Sequence, residues 1–181
     1  MELNGKEKLI LLMLAEIYEK LGINGEIDPA FIKEVIFSNH SWGLHWQYSA
    51  LFEGEKAEDP PEVREVVEIL DMWDLIELSF EELDPAERDR AQAEADPHGR
   101  SFNFSGFDGN SETKHMSIAR FFVDHLGRWS RFEEREMNSH RRTVDEYRRM
   151  LGVYLPIRDA LGSSGSYRLS ADQLIQILKA R

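Results

Sequence analysis

The chain has 181 residues, no cysteine and a formal net charge of −12, from 34 acidic and 22 basic residues. The lack of cysteine excludes disulfides, thiolate metal sites and a cysteine nucleophile, and it suits a reducing compartment, so we expect a cytoplasmic protein. An apolar fraction of 41% with ten Phe and four Trp is typical of a folded globular chain.

The negative charge is concentrated in one part of the chain. Residues 53–97 contain 17 acidic and four basic residues, a net charge of −13, so the remainder is close to neutral. Such a segment repels the phosphate backbone of nucleic acids. We therefore expect a solvated acidic face, and nucleic-acid binding across this segment is unfavourable.

An N-terminal helix is predicted over residues 5–21, with Asn4 and Glu7 as a capping box and Gly22 at its end. Its seven consecutive apolar residues, 9–15, are too few for a membrane span of about 20 residues. No signal-peptide cleavage site follows them. We therefore expect no contact with a membrane.

The same apolar run extends over almost two turns, so every side of this helix is apolar there. A terminal helix of a small domain seldom finds cover on all sides within its own chain. We therefore predict that it forms a contact between the subunits of a homo-oligomer. The candidate interface residues are Leu9, Leu11, Leu12 and Tyr18.

Aspartate–proline pairs predict several helix starts, because Asp caps a first turn and Pro suits its first position. They predict helices over residues 29–38, 60–82 and 85–94. The pairs are Asp28-Pro29, Asp59-Pro60, Asp84-Pro85 and, as a weaker signal because Gly99 follows, Asp96-Pro97.

In the 60–82 helix, acidic residues recur at every third position. Each step of three residues rotates the stripe by about −60°, so five steps wind it about 300° around the helix. We predict that this helix contacts different neighbours at its two ends and that its middle lies centrally in the fold. The stripe, interpreted as a solvated surface, consists of Glu62, Glu65, Glu68, Asp71, Asp74 and Glu77.

Two further capping boxes predict helices near the C-terminus. Thr143 with Glu146 marks the start of one helix, and Ser170 with Gln173 marks the start of the last. Pro156 is expected to end or kink the first of them, because proline removes a backbone donor and clashes with the preceding turn.

The predicted fold class is all-α. A helix is also expected over residues 111–126, residues 42–52 form an aromatic-rich loop or short helix, and residues 162–166 form a flexible turn. Strand signals are almost absent. We predict a single multihelical domain over residues 1–181 with about six to eight helices, or two lobes with residues 53–100 in one of them.

A loop rich in aromatic residues and glycine delivers polar side chains to the start of the 111–126 helix. Asp108 and Glu112 could serve as general acid and base in a pocket that shifts their pKa values. Alternatively, and more simply, Asp108, Asn110 and Ser111 compete to cap the helix, while Arg120 pairs with Glu112. The ligand-binding candidates are Phe104, Phe107, Asp108, Asn110, Glu112 and Arg120, and the two Phe side chains are expected to anchor the loop in the core.

Familiar catalytic and cofactor motifs are missing from the sequence. It contains no HExxH, no GxSxG and no phosphate-binding loop with Gly-Lys-Ser/Thr, so we expect no metal and no cofactor. Glu112 and His115 form a single Glu-x-x-His spacing, whereas a di-iron bundle needs two. His40 and His45 lie beside tryptophans and are expected to pack against aromatic rings.

Several short motifs occur along the chain: Phe104-x-Gly106-Phe107-Asp108, Arg120-Phe121, Gly127-Arg128-Trp129, Phe132, Tyr147-x-Arg149-Met150-Leu151 and Leu169-Ser170-Ala171, with Tyr48-x-x-Leu51-Phe52 and Ile69-x-Asp71-Met72 in looser register. With these motifs the chain resembles the YfbU domain family of bacterial and archaeal proteins over most of its length. The resemblance implies an intracellular, multihelical, oligomeric protein without an established activity or cofactor. It carries over no catalytic residues.

Three functions are compatible with these features. We predict a non-enzymatic protein that acts by self-association or by binding another protein. The alternative is an enzyme or small-molecule sensor with a pocket around the segment 104–120. Nucleic-acid binding through the arginines of residues 128–142 ranks third, because glutamates interleave with them and weaken their field.

Overall fold

The computed structural model describes residues 3–54, 58–164 and 167–181, and in these ranges the fold is all-α, as the sequence predicts. No strand occurs there, and Phe107 and Asn138 form an isolated bridge. The eight helices in these ranges are α1 (Gly5–Lys20), α2 (Pro29–Phe37), α3 (Gly43–Gln47), α4 (Pro61–Glu82), α5 (Pro85–Glu94), α6 (Thr113–Arg120), α7 (Val144–Ser164) and α8 (Ala171–Lys179). A π-helical turn, Phe121–His125, extends α6, and 3₁₀ turns occupy Ser49–Phe52 and Ser130–Phe132.

Local capping signals define the starts of several helices. At α1 the Asn4 side chain accepts a 3.1 Å hydrogen bond from the Glu7 N–H, and the Glu7 carboxylate accepts a 2.8 Å bond from the Asn4 N–H. This confirms the predicted capping box. Ser170 and Gln173 form the second predicted box at α8. The aspartates of the first and third Asp-Pro pairs cap α2 and α5.

Asp59 does not cap α4, contrary to the prediction from its Asp-Pro pair. The helix begins at Pro61, and no side chain caps its first turn. The Asp59 carboxylate instead accepts hydrogen bonds of 3.2 and 3.3 Å from the indole N–H of Trp46. The fourth Asp-Pro pair lies in a turn and starts no helix. Competition from a distant donor such as Trp46 is not visible in a local motif.

Pro156 lies inside α7, so of the two predicted effects, an end or a kink of the helix, the end does not occur. The proline removes one backbone donor, but Tyr154 and Ile157 on either side of it pack against the core and hold the helix. Residues 162–164 of the predicted turn belong to α7, while residues 165 and 166 lie outside the described residues.

Helix α4 is the central helix of the fold. It contacts α6, α7 and α8, and side chains along its whole length, including Val66, Ile69, Leu70 and Trp73, are inaccessible to solvent. Because its apolar residues wind around the axis together with the acidic stripe, they face a different neighbour at each level. The packing predicted from the winding stripe is therefore confirmed.

The acidic stripe of α4 is not a freely solvated face. Each of its carboxylates meets a donor from another segment, and the donors follow the winding of the stripe from α6 through α7 to the segment before α7. The stripe thus lies where neighbouring elements pack on α4. The pairs are Glu62 with Lys114, Glu65 with His115 and Arg148, Glu68 with Arg158, Asp71 with the Trp129 indole, Asp74 with Arg131, and Glu77 with Arg135.

Helices α1 and α2 form an antiparallel hairpin. The Lys8 ammonium donates a 2.7 Å hydrogen bond to the Asn39 side chain just after α2, and Lys33 of α2 pairs with Glu19 near the end of α1. Among the sixteen residues of α1, Ala15 alone is fully buried. In the described ranges, no helix combines the length and the apolarity that crossing a membrane requires.

Candidate functional site

The aromatic loop before α6 is anchored by its two phenylalanines, as predicted. Phe104 and Phe107 are buried, and each ring centroid lies 5.8 Å from that of Tyr147 in α7. The Phe104 N–H donates a 2.7 Å hydrogen bond to the buried carboxylate of Glu77, which also accepts two 2.8 Å bonds from Arg135. A bidentate ion pair of this kind fixes both partners. Because the same Glu77 carboxylate accepts from the Phe104 N–H, this ion pair also holds the loop against α4.

Gly106 lets this loop pass very close to another segment. Its φ of +80° lies in the region that favours glycine, and a Cβ atom there would lie 2.1 Å from the Met137 carbonyl oxygen. The close approach allows a two-bond bridge, in which the Phe107 N–H donates to Met137 at 2.9 Å and the Ser139 N–H donates to Phe107 at 3.0 Å. The loop is thus held on a second side.

Asp108 closes the turn before α6 but does not cap that helix. Its Oδ1 accepts a 3.2 Å hydrogen bond from the Asn110 N–H, and its Oδ2 accepts a 2.5 Å bond from the Ser111 hydroxyl. The Ser111 bond first, and then that from Asn110, lower the pKa of the Asp108 carboxyl, so the group is an anion at neutral pH. Glu112 precedes the first residue of α6, and no side chain caps the helix. The predicted cap of α6 is therefore wrong.

Glu112 caps a different helix, α7. Its Oε1 accepts 2.9 Å hydrogen bonds from the N–H groups of Thr143 and Val144, and its Oε2 accepts one of 2.9 Å from the Asp108 N–H. The capping box predicted for Thr143 and Glu146 is wrong, because Glu146 pairs with two arginines instead. N–H groups of the protein itself thus occupy both carboxylate oxygens of Glu112, so this side chain connects the loop before α6 to the start of α7.

The other two polar candidates, Asn110 and Arg120, take no part in the connection that Glu112 makes to α7. Asn110 is exposed. Arg120 does not pair with Glu112, contrary to the prediction, and its guanidinium lies 3.9 Å from the exposed carboxylate of Glu136. It lines a groove of about 370 Å³ together with His40 and other residues. The structure therefore brings Asp108 and Glu112 together and places Arg120 on a separate surface.

A cleft of about 790 Å³ lies between the end of α2 and the first turns of α4 and α6. Its lining combines polar side chains, among them His40, Lys114 and Ser117, with the apolar Trp42 and Ile118. Sequence reasoning missed this cleft because its lining comes from separate segments that share no motif.

His40 and Ser117 have the spacing of a catalytic dyad, with His40 Nε2 3.0 Å from Ser117 Oγ. The indole N–H of Trp42 can only donate, so it makes His40 Nδ1 an acceptor at 3.3 Å. The proton of the neutral ring then resides on Nε2 and points at the serine, the reverse of what a general base requires. Burial is the main influence on this ring, and it lowers the pKa of His40. The pair is therefore not arranged to activate a nucleophile.

Both histidines that were predicted to pack against aromatic rings do so. The His40 ring lies 4.8 Å from that of Phe121 in an edge-to-face arrangement, and the His45 ring stacks on Phe52 at 4.0 Å. The Nε2–H of His115 donates a 2.8 Å hydrogen bond to the Glu65 carboxylate, which can only accept. Glu112 and His115 thus bind different partners: Glu112 accepts from the first amides of α7, and His115 binds Glu65 of α4.

The arginines between residues 128 and 142 are largely engaged within the protein. Arg131, Arg135 and Arg141 form ion pairs with carboxylates of α4 or α7, and Arg128 lies over the Trp46 ring. Nucleic-acid binding depends on cations that are free to meet phosphates. This segment does not offer an open basic surface of that kind.

The most open apolar surface lies on α1. Six large apolar side chains of this helix and its C-cap, which we call the outer face of α1, are between 50% and 69% exposed. Of the predicted interface residues, Leu9 belongs to this face, whereas Leu11, Leu12 and Tyr18 are half-buried on the side towards the protein. The outer face consists of Leu9, Ile10, Met13, Leu14, Ile17 and Leu21.

An apolar groove of about 290 Å³ adjoins the outer face at Leu14. Leu11 and Tyr18 of α1 form one wall, and Ile27 and Leu51 contribute to the rest. Leu51 is 68% exposed and Ile27 is 36% exposed. The outer face and the groove therefore form one continuous apolar surface.

These features define a multihelical protein in which Asp108 and Glu112 make structural contacts and the exposed apolar side chains of α1 form an open surface. The model of the YfbU domain matches residues 1–180 of the chain. The chain therefore belongs to the YfbU domain family, and the resemblance drawn from its motifs is confirmed.

Proposed function

We propose that this protein works by self-association and that two copies meet through the outer face of α1. The observation that carries the proposal is the division of α1 into two apolar sides. One side packs on the protomer's own core through Leu11, Leu12 and Ala15, and the other leaves six large apolar side chains at least half exposed. Patches of this kind on a folded chain usually mark interaction surfaces.

The energetics agree with an association of moderate strength. Covering a half-exposed Leu, Ile or Met side chain contributes about 1 kcal/mol, so twelve of them in a dimer contribute about 12 kcal/mol. Association itself costs about 4–15 kcal/mol in lost freedom of the two partners. The outer face alone thus roughly offsets that cost, and the adjoining groove at Leu14 adds further apolar area.

Sedimentation velocity over a range of micromolar concentrations tests the proposal. The wild-type chain is expected to sediment as a dimer at the higher concentrations, with twice the monomer mass of 21.1 kDa. Ile10→Glu and Ile17→Glu are each expected to give a monomer, because they place a charge in the middle of the interface. Tyr167→Glu is the matched control, since Tyr167 is 77% exposed but lies far along the chain, before α8.

Circular dichroism shows whether each variant keeps its helices. A wild-type chain that sediments as a monomer at every concentration contradicts the proposal, and so does a folded Ile17→Glu dimer as tight as the wild type. Leu11→Glu and Leu12→Glu are poorer probes, because both side chains also support the core of the protomer.

We also propose that the chain forms one domain and acts in the cytoplasm. Buried apolar side chains from Ala15 to Leu178 belong to a single core cluster, which supports one domain. The absence of cysteine supports a reducing compartment. Limited proteolysis that releases two stable folded fragments would contradict the first of these two proposals.

A further inference from the structure

We propose that the cleft of about 790 Å³ beside His40 binds a small organic anion, whose carboxylate or phosphate group lies between Lys114 and Ser117. The lining combines Leu3 with the segment 38–42 after α2, the start of α4 and the first turns of α6. None of the six outer-face residues of α1 belongs to it. The anion site is therefore separate from the surface proposed for self-association.

The charge of the lining favours an anion. The described part of the chain contributes no aspartate and no glutamate to this cleft, although 34 of the 181 residues are acidic. Of the described residues that form the lining, only Lys114 carries a charge at neutral pH, because burial lowers the pKa of His40 and keeps its ring neutral. The Lys8 ammonium lies 2.7 Å from the side chain of Asn39, another lining residue. Two ammonium groups thus lie at or beside a cleft without a carboxylate in its lining.

The ion pair of Lys114 with Glu62 leaves the ammonium able to bind a ligand. The Lys114 ammonium donates a 2.5 Å hydrogen bond to the Glu62 carboxylate, and the two side chains are 62% and 35% exposed. An ion pair that is so open to water is weak. An ammonium also has three donors, so two of them can bind the oxygens of an anion while the pair with Glu62 persists.

Ser117 supplies a hydroxyl donor to the same cleft. Because the Trp42 indole N–H occupies Nδ1 of His40, the Nε2–H of His40 donates to Ser117 Oγ at 3.0 Å. His40 is buried and its ring lies 4.8 Å from that of Phe121, so the direction of this bond is fixed. The serine oxygen therefore accepts from the histidine and keeps its own proton for another acceptor. Within the described ranges, the Ser117 side chain makes no second hydrogen bond.

Asn39 adds a further donor group to the lining. An ammonium can only donate, so the atom of Asn39 that binds Lys8 is the side-chain oxygen. The NH₂ group of Asn39 is then left over, and the described residues provide no acceptor for it. A carboxylate or phosphate group offers acceptor oxygens only, and these match the donors of Asn39, Lys114 and Ser117.

The groove of about 370 Å³ next to the cleft is less suited to an anion. It shares His40 and Ser117 with the cleft, but Glu34 and Asp124 also line it. These two carboxylates repel a negative charge. The charged group of the ligand is therefore expected on the Lys114 side of Ser117.

NMR titration of the full-length chain with inorganic phosphate, and separately with succinate, tests the site. Sodium chloride at equal ionic strength is the reference, because it reproduces the screening without the oxyanion. We expect saturable shifts of the Ser117 amide and the Trp42 indole N–H. A response to phosphate alone assigns the site to phosphate groups, a response to succinate alone assigns it to carboxylates, and a response to both assigns it to either group. If neither anion moves these signals beyond the effect of chloride, the proposal is overturned.

Two substitutions locate the bound anion. Lys114→Gln and Ser117→Ala are each expected to weaken binding about tenfold, because each removes a hydrogen bond to a charged group. Lys179→Gln removes the same charge at the exposed end of α8, and Ser49→Ala removes an exposed hydroxyl from a 3₁₀ turn, so both controls are expected to keep the wild-type affinity. Circular dichroism shows whether each variant is folded. Folded Lys114→Gln and Ser117→Ala variants that bind as tightly as the wild type contradict the proposed site.

Discussion

The carboxylate of Glu112, just before α6, accepts a 2.9 Å hydrogen bond from the N–H of Val144, the first residue of α7. A second 2.9 Å bond comes from Thr143. The first amides of a helix have no partner inside the helix, and here a residue 32 positions earlier supplies it. The start of α7 is thus set by tertiary structure and not by its own neighbouring residues.

Loss of this cap is expected to weaken the whole fold. Glu112→Ala removes a charged acceptor from the α7 amides and from the Asp108 N–H, so we expect the free energy of unfolding in urea to fall by about 2–3 kcal/mol. Glu112→Gln keeps one acceptor oxygen and is expected to lose about half as much. Glu133→Ala, at an exposed residue, is the control and is expected to change it by less than about 0.5 kcal/mol. Equal stability of Glu112→Ala and the control would show that water replaces the cap at no cost.

Two carboxylates on α4 are expected to respond to pH in opposite ways. Burial, the largest influence, raises the pKa of Asp71, although the Trp129 indole N–H donates to it at 2.9 Å. The ionised form is therefore disfavoured by folding, and Asp71→Asn, which keeps an acceptor for Trp129, is expected to stabilise the protein at pH 7 by up to about 1 kcal/mol. This gain is expected to fade as pH falls through the folded-state pKa, where the wild-type carboxyl becomes neutral.

Glu65 provides the matched case two turns earlier on the same helix. Burial alone would raise its pKa, but hydrogen bonds from Arg148 and His115 outweigh burial and lower it. Its ionised form therefore favours folding, and Glu65→Gln is expected to cost about 1 kcal/mol at pH 7, a loss that disappears as pH falls through the lowered pKa. Urea unfolding between pH 7 and pH 3 tests both variants. The same pH trend for Asp71→Asn and Glu65→Gln would contradict the assigned causes.

Replacement of glycine by alanine is expected to have opposite effects on stability at Gly152 and Gly106. Gly152 lies in α7 with open space where a Cβ would be, so Gly152→Ala is expected to stabilise the protein by about 0.5–1 kcal/mol through helix propensity. Gly106→Ala forces a side chain into a positive φ and against the Met137 carbonyl, and it is expected to destabilise by about 2 kcal/mol or more. Thermal and urea unfolding of both variants provide the measurement. A neutral Gly106→Ala would mean that the loop can move away from Met137.

The tautomer of His40 can be measured directly. Because Trp42 donates to Nδ1, nitrogen chemical shifts in NMR are expected to show a neutral ring with its proton on Nε2. Because burial lowers the pKa, this form is expected to persist below pH 6.5, and acid is expected to destabilise the fold as the unfolded chain takes up the proton. His115, also on an aromatic ring but paired with Glu65, serves as an internal comparison. A proton on Nδ1 of His40 would reopen the possibility of a serine–histidine dyad.

The sequence allowed prediction of features whose partners lie within a few residues. The Asn4–Glu7 and Ser170–Gln173 boxes could be predicted because both partners occupy one turn. The cap of α7 could not, because Thr143 and Glu146 have the right spacing but Glu112 and two arginines compete for their groups. Local spacing says nothing of such competitors.

The same limit applies to the candidate site. The anchoring role of Phe104 and Phe107 could be predicted, since two large apolar residues in a polar loop are usually buried. The role of Arg120 could not, because a helix wheel shows which side of α6 it occupies but not which segment packs there. The cleft beside His40 depends on three segments meeting, and no single motif encodes that meeting.

The ion pairs along α4 have a consequence for synthesis on the ribosome. Donors to its carboxylates come from residues 114 to 168, all of them translated after the helix itself. A nascent chain that ends near residue 110 carries most of the acidic charge without its counter-charges, and it repels itself. We therefore expect α4 to stay exposed until α7 has emerged, so the unfinished polypeptide relies on its own negative charge to remain soluble.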